Sequence, residues 1–515
     1  MYQIHQSPRF SRRRWGSPSK FQYLVIFVLV VGVTITFLNI YELHHMKKDH
    51  MFQHSPIPVF EGTGETPQNH PVVWIHGKNV HSGYLKHVFD VFGRLGYASG
   101  DENSDWAVLW DHDYPFSTLS EKLAHLKPHQ RVNHFPGTGY VTNKVSLAVS
   151  KLKFIPKAFK LPDDKDRFLA FSKDHPDMIW VQKANTHRGI EIKPTSELDL
   201  SKKNTFIQEF VDKPFLIDGH KFDIGIYTII TSINPLRLYI IQGDALIRFC
   251  PDEYYPFDSK ARGKYVVHDD YLPMWKVPSL SSLYQEKGFT FKETLIQYMK
   301  SKGLDYERVW KDMISVIQTV YSEKEHKIIQ SASKFISTHH FFELVRFDFV
   351  LDEKLNVYLM EVNMSPNLDS GHFPPNKRLY EHVLYNLLQL VGVAQYVSPS
   401  PLDFEDDMRV SSADIHVFPE MCISSRCSES CSPTECKLCK PCLSHTIEKI
   451  LKIAYLEHMR RGSARRVFPP SINQTQALKW DPSTEWPGLE AASDRNKLMH
   501  RWFVGKCRLD ETWCL

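Results

Sequence analysis

Residues 342–365, FELVRFDFVLDEKLNVYLMEVNMS, decide how this chain is read. Two apolar runs flank a polar turn, which predicts a β-hairpin. A loop over Glu353–Asn356 places Asp348 opposite Glu361. Period-two alternation puts Asn363 on the same face as Glu361. Three oxygen-bearing side chains then converge, while Phe347, Phe349, Met360 and Val362 point the other way into a core. Solvent alone does not account for a carboxylate pair and an asparagine set on an apolar ribbon. Hard cations such as Mg²⁺ want oxygen ligands of this kind and share them with substrate phosphates. Asp348, Glu361 and Asn363 are therefore candidate metal ligands.

Working outward, charge gathers upstream of the hairpin. Lys183 ends a strand expected over 178–183 and is followed by Arg188 and Gly189. A lysine there supplies a point charge for phosphate oxygens, and the glycine lets backbone N–H groups approach. Gln208, Glu209, Phe210 and Val211 close a strand expected over 204–211. They offer backbone hydrogen bonds and an apolar wall to a purine. Lys221 and Asp223 share one face of a strand over 221–233, and Arg248 stands near the end of another over 236–250. Any one of these charges alone reads as a surface ion pair. Together they describe a cationic cleft facing a metal-binding hairpin, which is a nucleotide site.

The chain has 515 residues, 42% hydrophobic and 13% aromatic. That suffices for a large core in two or three packed subdomains. A net charge of +4 does not argue for nucleic acid, whose binders concentrate basic patches. Strands at VVWIHG and DWAVLW flank a helical pattern over 83–95, and a largely helical stretch over 291–336 precedes the hairpin. An amphipathic helix over 379–391 closes the region, and the class is mixed α/β (α+β). The segment 398–515, richer in Pro, Ser and Cys, reads as a separate appendage.

Residues 21–40, FQYLVIFVLVVGVTITFLNI, carry no charge. At about 1.5 Å per residue this run can cross a bilayer core of roughly 30 Å. No small-residue cleavage site follows it, so an uncleaved signal anchor is expected rather than a cleaved signal peptide. Arg9, Arg12, Arg13, Arg14 and Lys20 precede it. They predict a cytosolic tail over 1–20, a stem over 41–70 and a lumenal or extracellular body. Cys422, Cys427, Cys431, Cys436, Cys439 and Cys442, with Cys507 and Cys514, fit disulfides in an oxidising compartment. The C-x-x-C spacing of Cys436, Cys439 and Cys442 leaves a zinc site as the alternative. Asn473 opens a glycosylation triplet.

The blocks SDWAVLWDHDYPF, RVNHFPGTGYVTNKVSLAVSK, FIPKAFKLP, IWVQKANTHRGIEI, FIQEFVDKPFLIDGHKFDIGIY and NPLRLYIIQGDALIRF precede the hairpin in that order. Together they resemble the tubulin–tyrosine-ligase-like family, whose fold belongs to the ATP-grasp group. The resemblance spans about residues 104–394, within a domain expected over 71–397. It implies an ATP- and Mg-dependent ligase. Such enzymes phosphorylate a carboxylate to an acylphosphate, which the amine of an amino acid then attacks. Glutamylation of tubulin or another acidic protein tail is the activity it implies first. By position it implies that Lys144 and Lys183 face phosphates and that Gln208 to Val211 form the adenine hinge. Lys221 and Asp223 would contact nucleotide, with Lys221 and Arg248 facing the reacting groups. Asp348, Glu361 and Asn363 would hold magnesium.

Two places depart from the family pattern. Gly225 stands where the family strand carries an arginine, so either another cation substitutes or the chemistry is impaired. His268-Asp269-Asp270-Tyr271 replaces His-Leu-Thr-Asn, and two acids there repel a glutamate carboxylate or accept a different amine-bearing substrate. These departures motivate the alternative of a membrane-anchored pseudoenzyme or binding protein. A lumenal body would place tubulin out of reach, leave a non-tubulin substrate, and make Asn363-Met364-Ser365 a glycosylation acceptor.

Overall fold

A computed structural model of the protein describes Gly32 and residues 70–184, 190–267, 269–395 and 409–514. The chain divides into two units, Met1–Gln68 and Asn69–Leu515, and all described residues except Gly32 lie in the second.

Three sheets organise that unit. The first is parallel, with strands Val72–His76, Ala98–Gly100, Val108–Asp111 and Arg131–Val132. The second is antiparallel, built from β1 (Ala158–Leu161), β2 (Trp180–Ala184), β3 (Glu191–Lys193) and β4 (Thr205–Glu209) in the order β1-β4-β2-β3. The third and largest holds β5 (His220–Ile233), β6 (Leu236–Ile241), β7 (Leu246–Phe249), β8 (Glu343–Leu351), β9 (Val357–Met364) and β10 (Ala464–Phe468), plus the short strands Leu216–Ile217 and Leu272–Pro273. The 14 residues of β5 are rich in Ile and almost wholly buried, as expected of a central strand. One edge of β5 pairs with β8, and the other pairs with β6 and then β7. The run expected as one strand over 236–250 breaks after Ile241. Asp244 Oδ1 accepts from the backbone N–H groups of Ala245 (2.8 Å) and Lys292 (2.9 Å), turning the chain out of the ladder before β7.

The hairpin pairs Asp348 with Glu361, but by a different route from the one read in the sequence. Leu351 pairs with Val357, so the loop is one residue longer, and the register shifts between Asp348 and Phe349. Phe349 pairs with Leu359, and Met360 is the extra residue of a β-bulge. The bulge explains why Leu359 is fully buried and fills the expected place of Met360, which is only half-buried.

Helix α1 (Lys144–Ala148) begins at Asn143, whose side chain accepts from the N–H groups of Val145 and Ser146. Helix α2 (Tyr306–Ala332) starts at Asp305, which caps Arg308 N, and buries Val309, Met313, Val316, Ile317, Val320 and Ile328 in the main core. That spacing is one helical face. Helix α3 (Asn376–Leu390) buries Leu379, Val383, Leu384 and Leu387 in the same core.

The segment from 398 onward, expected as an appendage, supplies an edge strand: β10 pairs with β6. From α4 (His445–Arg460), Glu457 accepts from Arg237 Nε at 2.8 Å, Arg237 Nη2 at 2.9 Å, Thr231 Oγ1 at 3.0 Å and Tyr239 OH at 3.1 Å. A second core gathers around Trp502 and Phe503 of α5 (Asp494–Leu509). Disulfides join Cys422 to Cys439, Cys427 to Cys436, Cys431 to Cys442 and Cys507 to Cys514. Cys436, Cys439 and Cys442 are thus bonded to other cysteines, which removes the thiolates that a zinc site needs.

The expectation of a membrane-anchored, lumenal or extracellular body is corrected. Among the described residues no helix is long and apolar enough to cross a membrane. Helix α2 has the length, at 27 residues, but carries Glu307, Lys311, Asp312 and Glu323 outside its apolar stripe and packs on the core. The anchor reading rests on hydropathy, flanking charge and the missing cleavage site, and the stretch 21–40 lies outside the described residues apart from Gly32.

Candidate active site

The large sheet brings the hairpin acids beside the charges of β5 and β7. Gly225 of β5 pairs with Asp348 of β8, and Asp223 of β5 pairs with Arg248 of β7. Arg248 therefore spans two carboxylates. Its Nε donates to Asp223 Oδ1 (3.0 Å), and its Nη2 donates to Asp223 Oδ2 (2.7 Å) and Asp348 Oδ2 (3.0 Å). Asn363 Nδ2 donates to Asp348 Oδ2 at 2.9 Å and to Glu361 Oε1 at 3.1 Å. Lys144, on the first turn of α1, lies 3.0 Å from Glu361 Oε2.

The electrostatics follow from this crowding. Burial alone would raise the Glu361 carboxyl, but the Lys144 ammonium and the bonds from Lys144 and Asn363 outweigh it and hold it at about 2. Burial pushes Asp223 up to about 6, against the pull of Arg248 and with the push of Asp348. Burial lowers Lys183 to about 8, opposed by Glu361 and reinforced by Lys221 and Lys144.

The smaller sheet brings the remaining candidates. Lys183 Nζ donates to Gln208 Oε1 at 2.8 Å, across the β2–β4 pairing. Lys221 Nζ donates to the Tyr265 carbonyl at 3.1 Å and sits 5.4 Å from the centre of the Phe210 ring. Phe210 is buried and meets Tyr265 and Phe257 edge-on, forming an aromatic wall. Glu209 turns aside, its Oε2 accepting from Lys157 N at 3.2 Å, and Val211 is half-buried just beyond β4. Arg188, Gly189 and His268 lie outside the described residues. Asp269 and Asp270 are exposed, Asp270 lying 3.4 Å from His372, while Tyr271 is buried and accepts from Asn376 Nδ2.

One member of the cluster escaped the sequence reading. Arg346 grips Asp348 with two parallel bonds, Nε to Oδ1 at 2.6 Å and Nη2 to Oδ2 at 2.8 Å. The signal was present, since Arg346 precedes Asp348 by two residues and so shares its strand face.

The sequence profile described as the tubulin-tyrosine ligase family matches residues 121–401. The chain belongs to the tubulin–tyrosine ligase family. The match takes in α1, both antiparallel sheets except β10, and every candidate residue named above. Among relatives, a Caenorhabditis elegans protein named probable tubulin polyglutamylase ttll-15 is 40% identical over 463 residues, covering 86% of this chain and 87% of the relative. The human tubulin monoglutamylase TTLL4 is 27% identical over 443 residues, with 75% of this chain and 34% of the relative covered. The mouse tubulin polyglutamylase TTLL6 is 29% identical over 323 residues, with 58% and 38% covered. The chain thus spans most of the nematode relative but little more than a third of the two mammalian ones.

Proposed function

We propose that this family member is an ATP- and Mg²⁺-dependent ligase that joins an amino acid, glutamate first, to the acidic tail of tubulin or another protein. One observation carries the reading: a single cluster sets Lys144, Lys183, Lys221, Arg248 and Arg346 around Asp223, Asp348 and Glu361. Cations outnumber carboxylates, which suits a bound triphosphate. A small antiparallel sheet bearing Lys183 and Gln208, set beside a large sheet bearing Lys221 and the hairpin, supports an ATP-grasp assignment for 71–397, with 398–515 as a Cys-rich region joined to it. The relatives' names support glutamate and tubulin as substrates.

The donor set fits magnesium. Asp348 and Glu361 lie opposite each other on paired strands with the Asn363 amide nitrogen bridging their oxygens, and Asn363 would offer an ion its carbonyl oxygen with that amide turned over. Held by these residues, Mg²⁺ would supply positive charge against the phosphates. The residues around it do the rest. Lys144 and Lys183 would hold phosphates, with Arg188 and Gly189 assigned to them on sequence pattern. Gln208, Glu209, Phe210 and Val211 would border the adenine, and Lys221 and Asp223 the nucleotide. The γ-phosphoryl group passes to an oxygen of the acceptor carboxylate and ADP leaves. The amino-acid nitrogen then attacks the acyl carbon, phosphate departs with the bonding pair, and the nitrogen loses a proton. Arg248 and Lys221 would offset the negative charge that builds on the reacting oxygens.

The test supplies purified protein with tubulin, ATP, Mg²⁺ and labelled amino acids in turn. Glutamate incorporation that requires both ATP and Mg²⁺ is expected. Binding of a non-hydrolysable ATP analogue without incorporation of any amino acid would favour a binding protein that keeps the fold without the chemistry.

A further inference from the structure

Gly225 leaves a gap in the middle of the site, and another strand fills it. Asp223, Gly225 and Tyr227 share one face of β5 by alternation, and Gly225 contributes no side chain between its two polar neighbours. A Cβ at Gly225 would lie 2.8 Å from Arg346 Cδ, 3.2 Å from Arg346 Nε and 3.2 Å from Asp348 Oδ1. Arg346 starts on β8 opposite Tyr227 and opposite Asn363 of β9. From there its side chain runs alongside Gly225 to reach Asp348. Its side chain is only 6% exposed. Despite burial, the Asp348 carboxylate keeps this guanidinium firmly charged. Its charge is felt by Asp223 and Glu361 as well. The close approach and the bidentate grip form one unit: any residue larger than glycine at 225 displaces the arginine.

We propose that Arg346 is a positioning residue of the ligase site, that it orients Asp348 for the metal and sets the local positive charge, and that Gly225 is the opening that admits it. The inference rests on the ligase reading above. It predicts that the guanidinium matters by location rather than by the strand that carries it. An arginine planted at 225 points from β5 into the volume that Arg346 now occupies, directly across from Asp348. Gly225 and Arg346 should therefore be exchangeable as a pair and not singly.

The experiment is a double-mutant cycle with Arg346→Gly, Gly225→Arg and Gly225→Arg/Arg346→Gly. It is read in two ways: by the kcat and the Mg²⁺ dependence of glutamate incorporation, and by Mg²⁺-dependent binding of a non-hydrolysable ATP analogue. Each single variant should lose about 100-fold in kcat and about tenfold in apparent Mg²⁺ affinity. The exchanged pair should recover at least tenfold over either single variant in both readouts. Gly225→Ala adds only the crowding Cβ and should give the same defect in milder form. Thermal melts identify any variant that has merely failed to fold, and Gly225→Ala then carries the comparison. An Arg346→Gly variant with wild-type Mg²⁺ dependence, or an exchanged pair no better than the product of its singles, overturns the inference. If wild type binds the analogue but incorporates nothing, the ligase reading fails, while the binding cycle still decides the role of Arg346.

Discussion

Glu361→Gln removes one negative charge at the centre of the site with almost no change in shape. The glutamine keeps one oxygen, for Lys144 or for Asn363, and turns an N–H donor toward the other, so the effect combines the lost charge with the loss of one accepted bond. In the folded protein Glu361 sits at about 2 instead of 4.5. At about 1.4 kcal/mol per pH unit that is a preference of roughly 3 kcal/mol for the ionised form. The side chain is 31% exposed, and solvent screening reduces the expected loss to about 2 kcal/mol. The sign follows from the depressed value. The contribution is fully present above pH 4.5 and is lost as the pH falls towards about 2. Urea denaturation at pH 7 should therefore show the variant about 2 kcal/mol weaker, and at pH 3 the gap should narrow. The proposed magnesium assignment predicts a larger functional loss: incorporation should fall at least 100-fold, with a tenfold weaker Mg²⁺ dependence. A variant that incorporates glutamate with the wild-type Mg²⁺ dependence refutes the metal assignment. A stability gap that stays constant on acidification refutes the electrostatic account of Glu361.

Other outcomes follow from the same contacts. Lys183 is charged below about pH 8 and neutral above it, so affinity for an ATP analogue should weaken several-fold from pH 7 to pH 9. Lys183→Arg keeps its charge over that range and should flatten the profile, as calorimetry can record. Glu457→Ala strands Arg237 in the interior and should cost about 3–5 kcal/mol in a thermal or urea melt, whereas Glu457→Ala with Arg237→Met should recover part of it. Replacing Cys431 and Cys442 by serine opens a loop of 11 residues. It should remove about 3 kcal/mol locally, speeding proteolysis within 422–442 while leaving incorporation intact.

How far the site was legible depended on how local its causes were. Alternation along a strand is local, so the shared faces of Asp348 with its partners, and of Lys221 with Asp223, could be read directly. The Asp348–Glu361 pairing came out correctly because two deviations cancel: the loop is one residue longer than read, and the bulge at Met360 restores the count. A bulge answers to packing on both faces of a sheet, which no single strand announces. Arg346 is readable by period, two residues before Asp348, but its burial is not, because the strand that covers it lies more than 100 residues away. Only the approach of β5 to β8 shows that Gly225 gives it room. The break at Gln242–Ala245 also has a distant cause, the bond from Lys292 N to Asp244.

The C-terminal segment was the least legible because its partners are the farthest away. ARRVF at 464–468 carries two arginines in five residues and looks unlike a sheet strand. Yet Arg466 is fully buried, with its guanidinium 3.7 Å from the centre of the Phe503 ring and bonded to the carbonyls of Pro469 and Pro470. Those contacts let β10 cover the edge of β6, which would otherwise expose unpaired backbone groups. The same strand β5 then serves two ends of the molecule. Thr231 at one end bonds Glu457 of the C-terminal segment, while Lys221 and Asp223 at the other end belong to the candidate site. A central strand anchored by buried bonds at its far end has little freedom to shift where it carries the charges. The segment beyond the family match is therefore a buttress for the large sheet, and the candidate site is better understood as a property of residues 69–515 than of the matched region alone.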